Sequence, residues 1–290
     1  MEAADPTPAA GEVLVRVTAS GVCASEYHGW SEHSAESEPV RFGHEVVGTV
    51  VDLGPDTRDW QIGDTVTGFG GSGFADLVTM RADALLPVPP GIPAEHALGE
   101  PLACIAEAFA RTPIAPQDSV VVVGTGFMGL GFVQLAKLAG PAELIAVDYQ
   151  QHLRDVALKI GATAAYHPDE LPRDLRASVV VEAAGTAVAL TLAGELTAPH
   201  GTLCILGYHA RGPRELDLNW WYKGISVVHG FTQQRWRHQR AMATGLDLIR
   251  THQFSYAPMI THRFDLSDVD AAFSCFTDRP AGFIKSVIIP

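Results

Sequence analysis

Residues 120–129 read V-V-V-V-G-T-G-F-M-G, and few stretches of ten leave a chain so little choice. Four valines are too short a run for a helix. Bounded by glycines, they predict a strand buried on both faces. Gly124, Gly126 and Gly129 follow as G-x-G-x-x-G, and helix-period residues run from Leu130 to Ala139. In a chain with 28 glycines that pattern alone is weak. Its setting makes it informative: a strand precedes it, a helix follows, and Asp148 ends the next strand, L-I-A-V (144–147). There Gly124 permits the tight turn, Gly126 lets a pyrophosphate approach the backbone, and Gly129 lets helix and strand pack closely. The free N–H groups and positive dipole of the helix start at Phe127 and Met128 would face the phosphates. Asp148 can accept hydrogen bonds from a ribose hydroxyl pair and would repel a 2′-phosphate. No Arg or Lys follows it before Arg154, so NAD is expected rather than NADP.

The alternation continues with a helix over 153–160 that stops at Gly161, strand V-V-V-E (179–182) and a helix near 187–196. Strands T-L-C-I-L (202–206) and I-S-V-V (225–228) complete it. Alternation of this kind predicts an α/β fold with a doubly wound parallel sheet. The first hundred residues differ. E-V-L-V-R-V (12–17), V-V-G-T-V-V (46–51) and D-T-V-T-G-F (64–69) are short strands between Gly and Pro clusters, which suits a small barrel or sandwich. After about 236 a helix leads into a second β-rich tail. The expected division is 1–108, 109–234 and 235–290, with the first and last parts forming one domain around the middle one.

Composition narrows the function. Of 290 residues, 47% are hydrophobic and 18% charged, as in a globular protein with a sizeable core. A net charge of −13 argues against a nucleic acid or an anionic membrane surface as partner. The longest uncharged stretch, Ser119 to Ala136, holds four glycines and reads as strand, turn and helix rather than a membrane span. No apolar leader follows the start M-E-A-A-D-P-T-P. The four cysteines, Cys23, Cys104, Cys204 and Cys275, are scattered and form no C-x-x-C pair, which suits a reducing cytoplasm. Cys104 reads as core packing, and His33, His96 and His152 as surface.

Cys23 is the exception among the cysteines. With His44, Glu45 and Glu100 it makes a set of one thiol, one imidazole and two carboxylates. Mixed sulfur, nitrogen and oxygen donors suit a catalytic Zn²⁺ with a position left for substrate, whereas four thiolates would suit a closed structural site.

G-V-C-A-S-E-Y-H (21–28), G-H-E-V-V-G (43–48), E-P-L-A-C (100–104), the glycine turn and the closing T-H-R-F-D-L-S-D-V-D-A-A-F together resemble the zinc-dependent medium-chain dehydrogenase/reductases. The Glu of E-P-L points to the branch that holds sorbitol and threonine dehydrogenases. That resemblance implies a GroES-like β-barrel catalytic domain split around a Rossmann NAD-binding domain, with the active site between them. It implies one catalytic Zn²⁺ on Cys23 and His44, completed by Glu45 or Glu100 directly or through water. It gives Ser25 the substrate-facing hydroxyl and His28 the passage of a proton to solvent. It further implies hydride exchange between NAD and a secondary alcohol, of polyol, cyclitol or amino-alcohol type, in a homodimer or homotetramer.

Three features depart from the family. Glu26 stands where Asp is usual, which alters the reach of whatever supports His44. G-F-G-G-S-G (68–73) runs straight into G-F-A-D-L-V, with no four-cysteine lobe, so no structural zinc is expected. The family's hairpin before E-V-L-V-R-V is missing, so either the start is truncated or an uncovered barrel edge is expected, a liability unless a partner subunit shields it. Competing readings are a zinc-free, NADPH-dependent enone or quinone reductase, and a non-catalytic NAD-binding protein. Trp30, Phe69, Trp220, Trp221 and Tyr222 are the aromatic candidates for a substrate pocket.

Overall fold

A computed structural model describes residues 4–32, 40–210 and 213–290; His33 lies outside them. In chain order the elements begin with β1 (Glu12–Gly21), α1 (Tyr27–Ser31), β2 (Glu45–Leu53) and β3 (Thr65–Phe69). Next come β4 (Leu77–Arg81), β5 (Leu85–Pro87) and α2 (Gly99–Arg111). The α/β stretch runs β6 (Ser119–Val123), α3 (Phe127–Ala139), β7 (Glu143–Val147), α4 (Gln151–Ile160), β8 (Ala164–Tyr166) and β9 (Ala177–Glu182). It continues with α5 (Ala187–Leu196), β10 (Thr197–Ile205), α6 (Leu218–Lys223) and β11 (Ser226–His229). Last are α7 (Arg235–Arg250), β12 (His262–Asp265), α8 (Val269–Asp278) and β13 (Ser286–Ile289). Two compact units result, Met1–Ala103 with Gln234–Pro290, and Cys104–Gln233. No helix among the described residues is long and apolar enough to cross a membrane.

The first unit is built on a seven-stranded sheet in the order β12-β13-β1-β2-β3-β5, with β4 also paired to β1. Alternation along β1 buries Val13, Val15 and Val17 against Val46, Val50, Val66, Val78, Met80 and Leu85. β1 pairs with β2 on one edge and divides its other edge between β4, at Glu12–Arg16, and β13, at Ser20 and Gly21. Both edges of β1 are therefore occupied, so the uncovered edge, one of the two alternatives the sequence offers, does not fall on this strand. The path instead ends at the short strands β12 and β5. The tail is also less β-rich than its sequence suggests. α8 occupies Val269–Asp278 between its two strands and buries Ala272 and Phe273.

The second unit is a six-stranded parallel sheet in the order β11-β10-β9-β6-β7-β8. Numbered within the unit, that order is 6-5-4-1-2-3, the doubly wound arrangement whose direction of winding reverses between β6 and β9. Val120, Val121 and Val122 on β6 are fully buried, as a central parallel strand requires. Gly161 caps α4 at φ 143, a backbone conformation in which a Cβ is strained. Cys204 is buried in this unit, whereas Cys104 on α2 is only half-buried and so is not the core filler expected.

Candidate metal centre and dinucleotide turn

Three separate stretches supply the donors in the first unit. Cys23 lies just past the end of β1 in extended conformation, before a turn at Ala24–Glu26. His44 immediately precedes β2, Glu45 opens it, and Glu100 is the second residue of α2. Donor atoms of Cys23, His44 and Glu45 all lie within 4.8 Å of one another. Glu100 Oε2 is 3.9 Å from His44 Nε2. Three of the four sequence candidates thus gather in one place, and Glu100 approaches the group through His44.

Support for this group is visible on each side. Glu26 Oε1 is 3.0 Å from His44 Nδ1 and accepts the Gly43 N–H at 2.6 Å. The longer side chain therefore does the orienting expected of the family's Asp, leaving Nε2 directed at the donor cluster. Ser25 Oγ donates to Cys23 Sγ at 3.3 Å. Phe69 packs its ring 6.2 Å from His44 and, edge-on, 5.5 Å from His238. His238 and Glu100 bring donor atoms within 4.8 Å of each other. His28 stands farther along α1, edge-on to Tyr27 and 3.9 Å from Glu32.

One charged residue that sequence reasoning missed completes the arrangement. Lys285, just before β13, is buried, and its Nζ lies 2.7 Å from the Glu45 carboxylate. Strand register explains the meeting: Gly21 on β1 sits opposite Glu45 on β2 and Val287 on β13. A Cβ on Gly21 would fall on the Glu45 carboxylate and 3.1 Å from Lys285 Cε, so only glycine leaves room for the pair. The only sequence signal for Lys285 is a lone lysine in the apolar run G-F-I-K-S-V-I-I.

Charge in this pocket is lopsided. Burial opposes a charged His44, but hydrogen bonds to Cys23 and Glu26, with the charges of Cys23 and Glu45, push its pKa up to about 11. Burial likewise opposes the Lys285 ammonium, yet Glu45 and Cys23 hold its pKa above the ordinary lysine range. Both shifts have one source, the negative charge of the thiol and carboxylates gathered around these two bases. The thiol, imidazole and carboxylates are of the type that binds Zn²⁺ with an open position, so the residues fit that ion.

In the second unit the glycine turn has the conformation its sequence predicts. Gly124 takes φ 88, and Gly126 caps α3 with nothing within 4 Å of where a Cβ would stand. A Cβ on Gly129 would run into the Gly124 carbonyl. Phe127 is buried and Met128 half-buried in the first turn of α3. Asp148 holds the turn from the next strand: its Oδ2 accepts the Thr125 N–H at 2.8 Å and its Oδ1 the Gln150 N–H at 2.9 Å. Arg154 is engaged by backbone, donating to the carbonyls of Asp148 at 2.7 Å and Tyr149 at 2.9 Å.

The aromatic candidates separate. Phe69 adjoins His44, but Trp30 stacks on Phe273 at 5.1 Å and donates to Asp270. Trp220 belongs to the core of the second unit, and Trp221 and Tyr222 are exposed on α6. As a set they do not line one pocket.

Residues 9–90 match the model of the alcohol dehydrogenase GroES-like domain, and residues 128–251 that of the zinc-binding dehydrogenases. A sorbitol dehydrogenase of Halalkalibacterium halodurans is 28% identical across 100% of this chain and 94% of its own. An L-threonine 3-dehydrogenase of Thermococcus kodakarensis is 27% identical across 89% of this chain and 85% of its own. The crystal structure of a zinc-binding dehydrogenase from Sinorhizobium meliloti 1021 bound to NADP superposes with a TM-score of 0.85. It is 26% identical and covers 98% of this chain and 94% of that one. The donor cluster, the doubly wound sheet with its glycine turn, and relatives spanning nearly the whole chain lead to one family. This chain belongs to the zinc-binding alcohol dehydrogenases of the medium-chain dehydrogenase/reductase superfamily.

Proposed function

We propose that this protein is an NAD-dependent zinc dehydrogenase that interconverts a secondary alcohol and its ketone, the alcohol being a polyol, cyclitol or amino-alcohol. The observation that carries the reading is the Cys23, His44 and Glu45 group, with Glu100 beside His44. Cys23 and His44 would hold one catalytic Zn²⁺, with Glu45 or Glu100 completing the set. Bound there, the ion supplies a Lewis acid that makes a substrate hydroxyl more acidic. Glu45 shares its carboxylate with Lys285 and lies with Cys23 and His44, while Glu100 lies 3.9 Å from His44, so both stay candidates for the third donor.

The remaining work falls to the chain's own groups. Ser25 Oγ, beside Cys23 Sγ, would accept the hydroxyl proton, and His28, a third exposed, would pass it to solvent. The turn at Gly124, Gly126 and Gly129, with Phe127 and Met128 at the start of α3, would hold the pyrophosphate, and Asp148 the adenosine ribose. NAD supplies the hydride acceptor. Residues 1–108 with 235–290 serve as the catalytic domain and 109–234 as the NAD-binding domain. The NADP bound to the Sinorhizobium meliloti relative supports a second reading on cofactor alone, which the Asp148 carboxylate opposes. We place the protein in the cytoplasm, as a homodimer or homotetramer.

Elemental analysis beside turnover on a polyol panel tests this reading. Cys23→Ser is expected to lose both zinc and NADH formation while still binding NADH, because the glycine turn belongs to the other unit. Ser25→Ala is expected to keep zinc and slow turnover by about a hundredfold or more. Full activity of metal-free protein would overturn it.

A further inference from the structure

The tip of β9 carries a buried acid that the reading above does not use. Glu182 is fully buried where the winding of the sheet reverses. Its Oε1 accepts the backbone N–H of Ala184 at 2.8 Å and of Gly185 at 2.7 Å. Its Oε2 lies 2.8 Å from Nε2 of His209, a residue of the loop that follows β10. Its backbone carbonyl accepts from Leu206 at 2.8 Å and Gly207 at 2.9 Å. One residue thus ties the turn after β9 to the loop after β10 through both side chain and main chain.

The donors settle how His209 is held. A carboxylate can only accept, so Nε2 carries the hydrogen, and Nδ1 accepts from Arg214 Nε at 2.9 Å. Packing is close, with backbone approaching backbone at several points. A Cβ on Gly207 would strike the Gly185 amide and come within 2.7 Å of Glu182 Oε2, and one on Gly185 would meet the Tyr208 carbonyl. A Cβ on Gly124 would meet Ala184 at 2.7 Å. The phosphate turn, the turn after β9 and the loop after β10 therefore form one close stack, with the Glu182 carboxylate and the His209 ring bonded across it.

In a doubly wound sheet the dinucleotide lies across the carboxyl ends of the strands, with one mononucleotide on each half. The Gly124 turn and Asp148 belong to the half made by β6, β7 and β8; the loop holding Tyr208 and His209 belongs to the other. We propose that Glu182 and His209 are positioning residues that hold the loop after β10 in place for the nicotinamide half of the cofactor. This rests on the dinucleotide reading above and adds to it the second half of the site, which the glycine turn and Asp148 do not reach. The pair acts through the loop backbone and does not itself touch the reacting atoms.

The test is NADH fluorescence titration of the zinc-loaded, full-length protein and three variants. His209→Leu removes the donor and leaves a buried carboxylate short of a partner, so its NADH dissociation constant is expected to rise about tenfold or more. His209→Gln, whose amide can still reach Glu182, is expected to stay close to the unmodified protein, and Glu182→Gln to resemble His209→Leu. KM for NAD should rise in the weakened variants while KM for the alcohol and zinc content stay unchanged. Unaltered NADH affinity in His209→Leu, or equal weakening in His209→Gln, would overturn the proposal. Should His209→Leu fail to fold, hydrogen exchange of the unmodified protein decides: amides 184, 185, 206 and 207 should gain protection on adding NADH. No gain there would count against the pair. If the unmodified protein binds neither NADH nor NADPH, the cofactor reading itself falls, and this inference with it.

Discussion

Lys285 is a single ammonium set among Cys23, Glu45 and Glu100, and its removal should be felt at once. Lys285→Met leaves Glu45 buried without its partner, which is expected to destabilise the fold by about 3–5 kcal/mol in thermal or urea unfolding. The double variant Glu45→Gln with Lys285→Met should lose clearly less than the two single losses added together, since it removes both charges. The sign with pH follows from the raised pKa of Lys285. A raised basic group stabilises fully below its unfolded value, near 10.5, and the contribution fades as pH climbs through the folded value. The stability gap between the unmodified protein and Lys285→Met should therefore narrow only above about pH 10.5. At the other site, Asp148→Ser is expected to erode the preference for NAD, read as the ratio of kcat/KM with NAD and NADP. Equal efficiency with both cofactors in the unmodified protein would refute the assignment to Asp148. Cys23, His44, Glu45 and Glu100 stood out as donor types, and it is the resemblance of their motifs to a family that singled them out as ligands; Asp148 stood out by ending the strand after the glycine turn. Lys285 did not stand out, because its meaning depends on a partner 240 positions away.

Elements place these residues through register and close approach. Gly21 pairs with Glu45 across β1 and β2, a contact set by the ladder and not by any local pattern. Gly21→Ala would push a methyl group into the Glu45 carboxylate, so it should destabilise by about 1–3 kcal/mol. It should also lower zinc affinity in a competition titration, and unchanged affinity would show that the register does not position the donors. The glycine turn behaves in the same way but announces itself. Strand, G-x-G-x-x-G and helix are consecutive, so the turn at Gly124 and the start of α3 follow from local sequence alone. The helix α8 hid in a tail read as β-rich. Its buried face is small, Ala272 and Phe273, and it gains its apolar contacts from Trp30, Phe42 and Phe74, which come from the other end of the chain.

At the scale of the whole molecule the chain forms two units, and the doubly wound one ends at an edge. β11 pairs with β10 on one side, while Val227 remains exposed, as do Trp221, Tyr222 and Phe231 nearby in the chain. An apolar edge strand is a template for pairing, and a second copy of the chain is the expected cover. Val227→Lys combined with Trp221→Glu should shift the protein from dimer or tetramer towards monomer in sedimentation velocity. A monomeric unmodified protein would refute the assembly. A net charge of −13 gives the complementary expectation that duplex DNA is not retained at physiological salt.

Local sequence by itself determined the doubly wound sheet, its glycine turn and the donor types at Cys23, His44, Glu45 and Glu100. Each of these is written in neighbouring residues: periodicity selects strand or helix, and short spacing selects the turn. Tertiary structure alone decided that Lys285 meets Glu45, that Glu26 reaches His44, that Gly21 must stay bare, and that Glu182 holds His209. Those contacts join stretches that only strand order and register bring together. Their strength comes from burial, which turns a pair that water would screen into one the fold depends on.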